Sequence, residues 1–169
     1  MVHSIELVFD HDTEVAIRRI WGDLTAVGIS SQAPASRPHV TLVVADRIAP
    51  DVDAILTPVV QRLPLRCSVG ASVLFGRSNA VLARLVVPTA ELLAVHAEVH
   101  RLSVPYMVSG PMPNCLPGHW TGHVTLARRV GNAKLGRALH VAARPPEIAG
   151  SIVGLRRWDG NKKIEHLIN

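Results

Sequence analysis

The tetrapeptide His-Val-Thr-Leu occurs twice, at His39–Leu42 and at His123–Leu126, each time inside an apolar run with strand character. Alternate side chains of a strand share a face, so His39 and Thr41 project together while Val40 and Leu42 point into a core, and His123 and Thr125 repeat the arrangement. Each copy offers one imidazole beside one hydroxyl. With seven Thr among 169 residues, a given His meets a Thr two places on roughly 4% of the time, so one copy alone would carry little weight. Two copies with identical intervening residues demand an architecture in which two similar strands present similar faces.

The surroundings repeat in kind. A short strand at 4–9 is followed by Asp10-His11-Asp12-Thr13, which supplies N-cap chemistry for a helix to about 27 whose apolar side is Val15, Ile17, Ile20, Trp21 and Leu24. A Ser/Pro-rich loop, 28–38, leads into the first motif strand, 37–46, and a helix near 50–62 follows it. Strands at 66–75 and 80–87 meet at Gly76-Arg77-Ser78-Asn79, and then a helix at 89–102, a loop and the second motif strand, 120–130, restate the order. A helix near 132–143 and a hairpin, 148–158 with 162–168, complete the chain. The expectation is a single α+β domain over 1–169, built as two pseudo-symmetric lobes. Each is an antiparallel sheet with helices outside, and the two face each other across a central cleft lined by the motif strands.

Composition sets the class of partner. A hydrophobic fraction of 48% against 18% charged residues describes a folded globule, and a net charge of +5 with a pI near 10 leans toward a polyanion such as RNA or a phosphorylated small molecule. The arginines are spread along the chain and form no basic tail. Cys67 and Cys115 make no CxxC pattern, which fits a reducing cytoplasm. The first twelve residues carry Glu6, Asp10 and Asp12 without a basic segment followed by an apolar one, so no secretory leader is expected. No apolar stretch is long enough for a bilayer. The chain is expected to be cytoplasmic, with no membrane and no obligate protein partner.

Two histidines on opposite walls of a cleft form an acid and base pair, because imidazole titrates near neutrality and serves in either state. Such a pair suits in-line displacement at phosphorus, with one His taking a proton from the attacking group and the other giving one to the departing oxygen. Each Thr hydroxyl can donate to a non-bridging phosphate oxygen. With His39 and Thr41, His123 and Thr125, Arg37-Pro38 before the first copy and the Trp120-to-Arg129 run around the second, the chain resembles the 2H phosphoesterase superfamily of 2′-5′ RNA ligase-like proteins and cyclic nucleotide phosphodiesterases. That group is marked by two His-x-Thr/Ser-x motifs.

The resemblance implies an RNA end or nucleotide with a 2′,3′-cyclic phosphate or 2′-5′ linkage as substrate, and a mechanism without metal or other cofactor. It implies His39 and His123 as general acid and base in unassigned order, and Thr41 and Thr125 as phosphate ligands. Val43-Val44-Ala45-Asp46 stands where the 2′-5′ RNA ligase group often carries an aromatic-Leu-Gly sequence. Ligation, a non-catalytic RNA- or nucleotide-binding module on the same fold, and a metal hydrolase using clustered His are the alternatives.

Further substrate contacts are sought among Arg37, Trp120, Arg129 and Tyr106. Trp120 stands three residues before His123, Arg129 shares the parity of His123 and Thr125, and Trp158 either stacks a base or covers the core. His96 and His100 lie one helical turn apart without the zincin order and read as a solvated helix face. The Gly/Pro-rich loop 108–118 reads as a lid or a rigid connector, with Cys115 incidental.

Overall fold

The computed structural model describes residues 2–32 and 36–169; of the loop 28–38, residues 33–35 lie outside the described residues. The chain runs β1 (His3–Phe9), α1 (His11–Ala26), β2 (His39–Ile48), α2 (Val52–Val60), β3 (Leu65–Phe75), β4 (Asn79–Val86), α3 (Ala90–Ser103), β5 (Met107–Pro111), β6 (His123–Gly131), α4 (Asn132–Ala142), β7 (Ile148–Asp159) and β8 (Ile164–Ile168). The helix starts follow the local chemistry. Asp10 accepts a hydrogen bond from the Thr13 N–H at 3.0 Å, and the Thr89 hydroxyl accepts from the Leu92 N–H at 3.2 Å. In α1 the buried stripe is Thr13, Ile17, Ile20, Trp21 and Leu24, whereas Val15, expected on that side, is exposed.

The strands form one eight-stranded antiparallel sheet in the order β5-β2-β1-β7-β3-β4-β6, with β8 on β7. Two similar three-strand blocks, β2-β1-β7 and β6-β4-β3, are joined where β3 pairs with β7, and they make the two expected lobes. Each lobe borrows a strand from the other half of the chain: β3 follows the first motif yet pairs with β4, and β7 follows the second yet pairs with β1. α1 and α4 pack on each other and on β6, and α2 and α3 do so over β7, β8 and β2. The sheet curls until β2 and β6 contact each other, which brings the motif strands together.

Part of the loop 108–118, read from the sequence as a lid or a rigid connector, is an edge strand. Residues 107–111 pair with β2 through Ala45 with Pro111, Arg47 with Val108 and Ile48 with Met107, and the Met112 N–H donates to the Val44 carbonyl at 2.8 Å. The segment lacks an alternating apolar pattern because backbone pairing to an open edge holds it. Its Pro111 sits at the strand end, where a missing N–H is tolerated.

Candidate active site

Both motif strands carry the same irregularity. In β2 the register against β1 slips at Leu42, so that Ile5 faces Val43 but Glu6 faces Thr41; in β6 the register against β4 slips at Leu126, between Ala83 with Thr125 and Leu82 with Ala127. A bulge adds one residue and turns the next side chains over. Val44 and Arg128 thereby occupy equivalent positions, and both line a cleft of about 860 Å³ that also takes in Glu6, Arg37, His39, Thr41 and Arg156.

The bulge corrects the expectation for Arg129. Strict alternation from His123 and Thr125 puts Arg129 in the cleft, but the extra residue delivers Arg128 instead, and Arg129 is exposed with φ of 57°. His123 and Thr125 are not among the residues that line this volume. Both His39 and Arg128 nonetheless act electrostatically on the His123 imidazole.

Each bulge is held by a tryptophan from the other half of the chain. The Trp120 indole N–H donates to the Thr41 carbonyl at 2.9 Å, and the Trp21 indole N–H donates to the Thr125 carbonyl at 3.2 Å. A carbonyl at a disrupted ladder position needs a donor, and an indole supplies one while burying its ring. Trp120 is therefore engaged in packing: its ring stacks on His96 with centroids 4.2 Å apart and planes 7° apart. A Cβ on Gly122 would approach the Trp120 ring to 2.7 Å, which explains a glycine between Trp120 and His123.

His96, expected on a solvated face, is buried and donates from Nε2 to the Cys115 carbonyl at 3.0 Å; burial holds its pKa below the ordinary value. Tyr106 is half-buried against the core, and its carbonyl accepts from the Ala49 N–H, away from the cleft lining.

Trp120→Phe keeps an aromatic ring and removes the N–H, leaving a part-buried carbonyl unpaired. It is expected to cost about 1–3 kcal/mol in thermal or urea unfolding. It should also lower kcat several-fold, because Thr41 sits on that carbonyl's residue. Unaltered stability and kcat would remove the bracing role.

The two imidazoles are oriented alike. His39 Nδ1 lies 2.8 Å from the Arg37 carbonyl and His123 Nδ1 lies 2.7 Å from the Thr121 carbonyl, each two residues back. A carbonyl only accepts, so Nδ1 carries the proton in both rings and the Nε2 lone pair of the neutral form is free for chemistry. Arg156 Nη2 stands 3.3 Å from His39 Nδ1, but both atoms are then donors, so this is proximity and not a hydrogen bond. On the other side, His39 Nε2 lies 3.6 Å from Glu6 Oε1.

Glu6 is buried and held by Arg156, with Nε at 2.8 Å and Nη2 at 2.7 Å from its Oε2; Arg156 Nη1 reaches Glu165 at 2.6 Å. Arg37 donates to Glu14 at 3.1 Å. His123 packs against the Phe75 ring, with centroids 4.6 Å apart. Burial is the main cause that holds the His123 pKa below its ordinary 6.5; the Thr121 carbonyl opposes it, and the charges of Arg128 and His39 reinforce it. Neither the Thr41 nor the Thr125 hydroxyl is engaged by a described residue.

No group of three or more His, Cys, Asp or Glu side chains suited to a metal occurs among the described residues. No helix there is long and apolar enough to cross a membrane.

Glu6, Arg128, Arg156 and Glu165 escaped the sequence reading as cleft residues. Glu6 and Arg156 sit on apolar strands where cross-strand pairing, invisible in one segment, decides the neighbour.

The fold is shared with solved structures of low identity. TT0787 of Thermus thermophilus superposes with a TM-score of 0.63 at 13% identity, covering 100% of this chain and 96% of that one. LigT of E. coli, complexed with 3′-AMP, gives 0.59 at 12%, covering 98% and 91%. The MHV ns2 PDE domain gives 0.54 at 12%, covering 99% and 97%. No curated relative matches the sequence. A family model described as the 2′-5′ RNA ligase superfamily matches residues 9–162. The twin motif strands therefore belong to a family frame that spans nearly the whole chain, and the protein is a member of the 2′-5′ RNA ligase-like, or 2H phosphoesterase, superfamily, an enzyme class acting on phosphodiester and cyclic-phosphate bonds.

Proposed function

We propose that the protein hydrolyses 2′,3′-cyclic phosphates on RNA ends or nucleotides without a metal, using His123 as general base and His39 as general acid. The observation that carries this reading is the matched pair of imidazoles. Each is fixed through Nδ1 to the carbonyl two residues back, with Nε2 left for proton transfer. Water attacks phosphorus as His123 Nε2 accepts its proton, and the bond to one ribose oxygen breaks as His39 Nε2 donates a proton to it, yielding a phosphomonoester. Thr41 and Thr125 donate to the non-bridging oxygens, and Arg128 adds positive charge as negative charge develops.

The order of the two histidines follows from their surroundings. Burial, Arg128 and His39 disfavour charge on His123, so it starts neutral as a base must. Glu6, 3.6 Å from His39 Nε2, is near enough to pair with the charge His39 carries as the acid. A 2′-5′ phosphodiester fits the same proton transfers, with the departing ribose oxygen on a second nucleotide.

The test is hydrolysis of 2′,3′-cyclic nucleotides by the purified protein as a function of pH, in excess EDTA. A bell-shaped kcat/KM that survives EDTA is expected, whereas inactivation by EDTA with recovery on Zn²⁺ or Mn²⁺ would point to a metal hydrolase. As pH falls, the base is lost when His123 protonates, so the acid limb lies below 6.5. Arg128→Gln removes a positive charge that disfavours His123 protonation, and its acid limb moves to higher pH. An acid limb that stays in place in this variant would separate Arg128 from the base.

A further inference from the structure

The cleft floor continues well past the two histidines. Across the first lobe the register aligns Val44 of β2, Ser4 of β1, Trp158 of β7 and Glu165 of β8 in one row, beside a second row of Thr41, Glu6 and Arg156. Directly paired residues of antiparallel strands share a face, and all seven line the same cleft. At about 4.8 Å per strand, Trp158 lies roughly 10 Å from the motif strand and Glu165 roughly 14 Å. That is the reach of a ribose and its base from a phosphate held by Thr41.

The far end of the row has the chemistry of a base site. Trp158 is half-buried, and the Arg156 guanidinium, 5.6 Å from its ring centroid, pins it in the cleft. Glu165 is anchored through Oε2 by Arg156, while its side chain remains 40% exposed and Oε1 has no partner among the described residues. A fixed flat ring beside a fixed carboxylate offers stacking together with two acceptor positions.

Only one common base matches two acceptors. Guanine presents N1–H and an amino group side by side; adenine and cytosine set an amino group next to a ring nitrogen lone pair, and uracil sets N3–H between two carbonyls. A carboxylate facing any of those three meets a lone pair with its second oxygen.

We infer that Trp158 and Glu165 form a nucleobase subsite that selects guanosine at the cyclic-phosphate end. The inference rests on the proposed phosphoesterase reading for its placement beside the phosphate, but base recognition is measurable apart from turnover.

The experiment has a kinetic arm and a binding arm. In the first, kcat/KM is measured on the four 2′,3′-cyclic nucleotides for the wild type, Trp158→Ala and Glu165→Gln. The wild type is expected to prefer guanosine over uridine by about 10-fold or more, and Glu165→Gln to bring that ratio toward one. Trp158→Ala should raise KM with little change in kcat, because stacking acts before and during the reaction alike.

In the second arm, calorimetry compares guanosine and uridine 3′-monophosphates. Tighter guanosine binding that both variants weaken supports the subsite even if no cyclic nucleotide is turned over, an outcome that would sink the phosphoesterase reading alone. Equal affinity for the two nucleotides, or guanosine binding unchanged in both variants, would overturn the subsite.

Discussion

Replacing either His39 or His123 with Ala lowers kcat/KM on a 2′,3′-cyclic nucleotide by at least about 10²-fold, since each removes one of two proton transfers that no neighbour can supply. The double variant loses far less than the product of the two, because an acid without its base leaves little concerted catalysis to destroy. The two variants also differ in their residual pH dependence. With His123→Ala the acid limb disappears, and with His39→Ala the alkaline limb does; the reverse pattern would exchange their roles.

Both imidazoles are partly exposed and each hydrogen-bonds to one carbonyl, so unfolding free energies should move by about 1 kcal/mol or less. Rates close to wild type in either single variant would end the two-histidine mechanism.

The placement of His39 with Thr41 and of His123 with Thr125 on two strands was legible because a period of two needs only local sequence, and the repeated tetrapeptide singled out which strands mattered. The helix starts at Asp10 and Thr89 were legible for the same reason, since a cap is satisfied within three residues. What failed was set by strands that meet from far apart. The slip at Leu126 exists only against β4, and it moved the cleft-facing position from Arg129 to Arg128.

Trp120 reads as a stacking surface beside His123, yet the carbonyl it serves belongs to Thr41, 79 residues away. Glu6 and Arg156 lie 150 residues apart and read as polar interruptions of apolar strands until β1 and β7 pair. The insertion of β7 between β1 and β3 was hidden likewise, because strand order in a sheet is not written in strand periodicity.

Arg84 is the most consequential residue of that hidden kind, and its replacement carries the largest expected loss of stability. It is 1% exposed on β4, and its guanidinium donates only to backbone carbonyls: Nε to Gly70, Nη1 to Ala142 at 2.8 Å and Pro145 at 3.0 Å, and Nη2 to Val69 at 3.2 Å and Pro146 at 2.8 Å. Five donors meet five acceptors, and Ala142 ends α4, where the helix dipole favours a cation. Arg84 faces Val124, the residue between His123 and Thr125, so this staple ties α4 and the following loop to the strand pair behind the second motif.

Arg84→Met keeps the stem and strands the carbonyls. By analogy with breaking a buried charged network it should cost about 3–5 kcal/mol, or roughly 6–20 °C in Tm for a chain of this size. Arg84→Lys retains the charge but offers three donors from one point, which cannot span carbonyls of β3 on one side and of the 144–146 loop on the other. It should recover only part of the loss. A Met variant within about 1 kcal/mol of wild type in urea unfolding would show that water or backbone movement satisfies these carbonyls, and that the second motif strand stands without the staple.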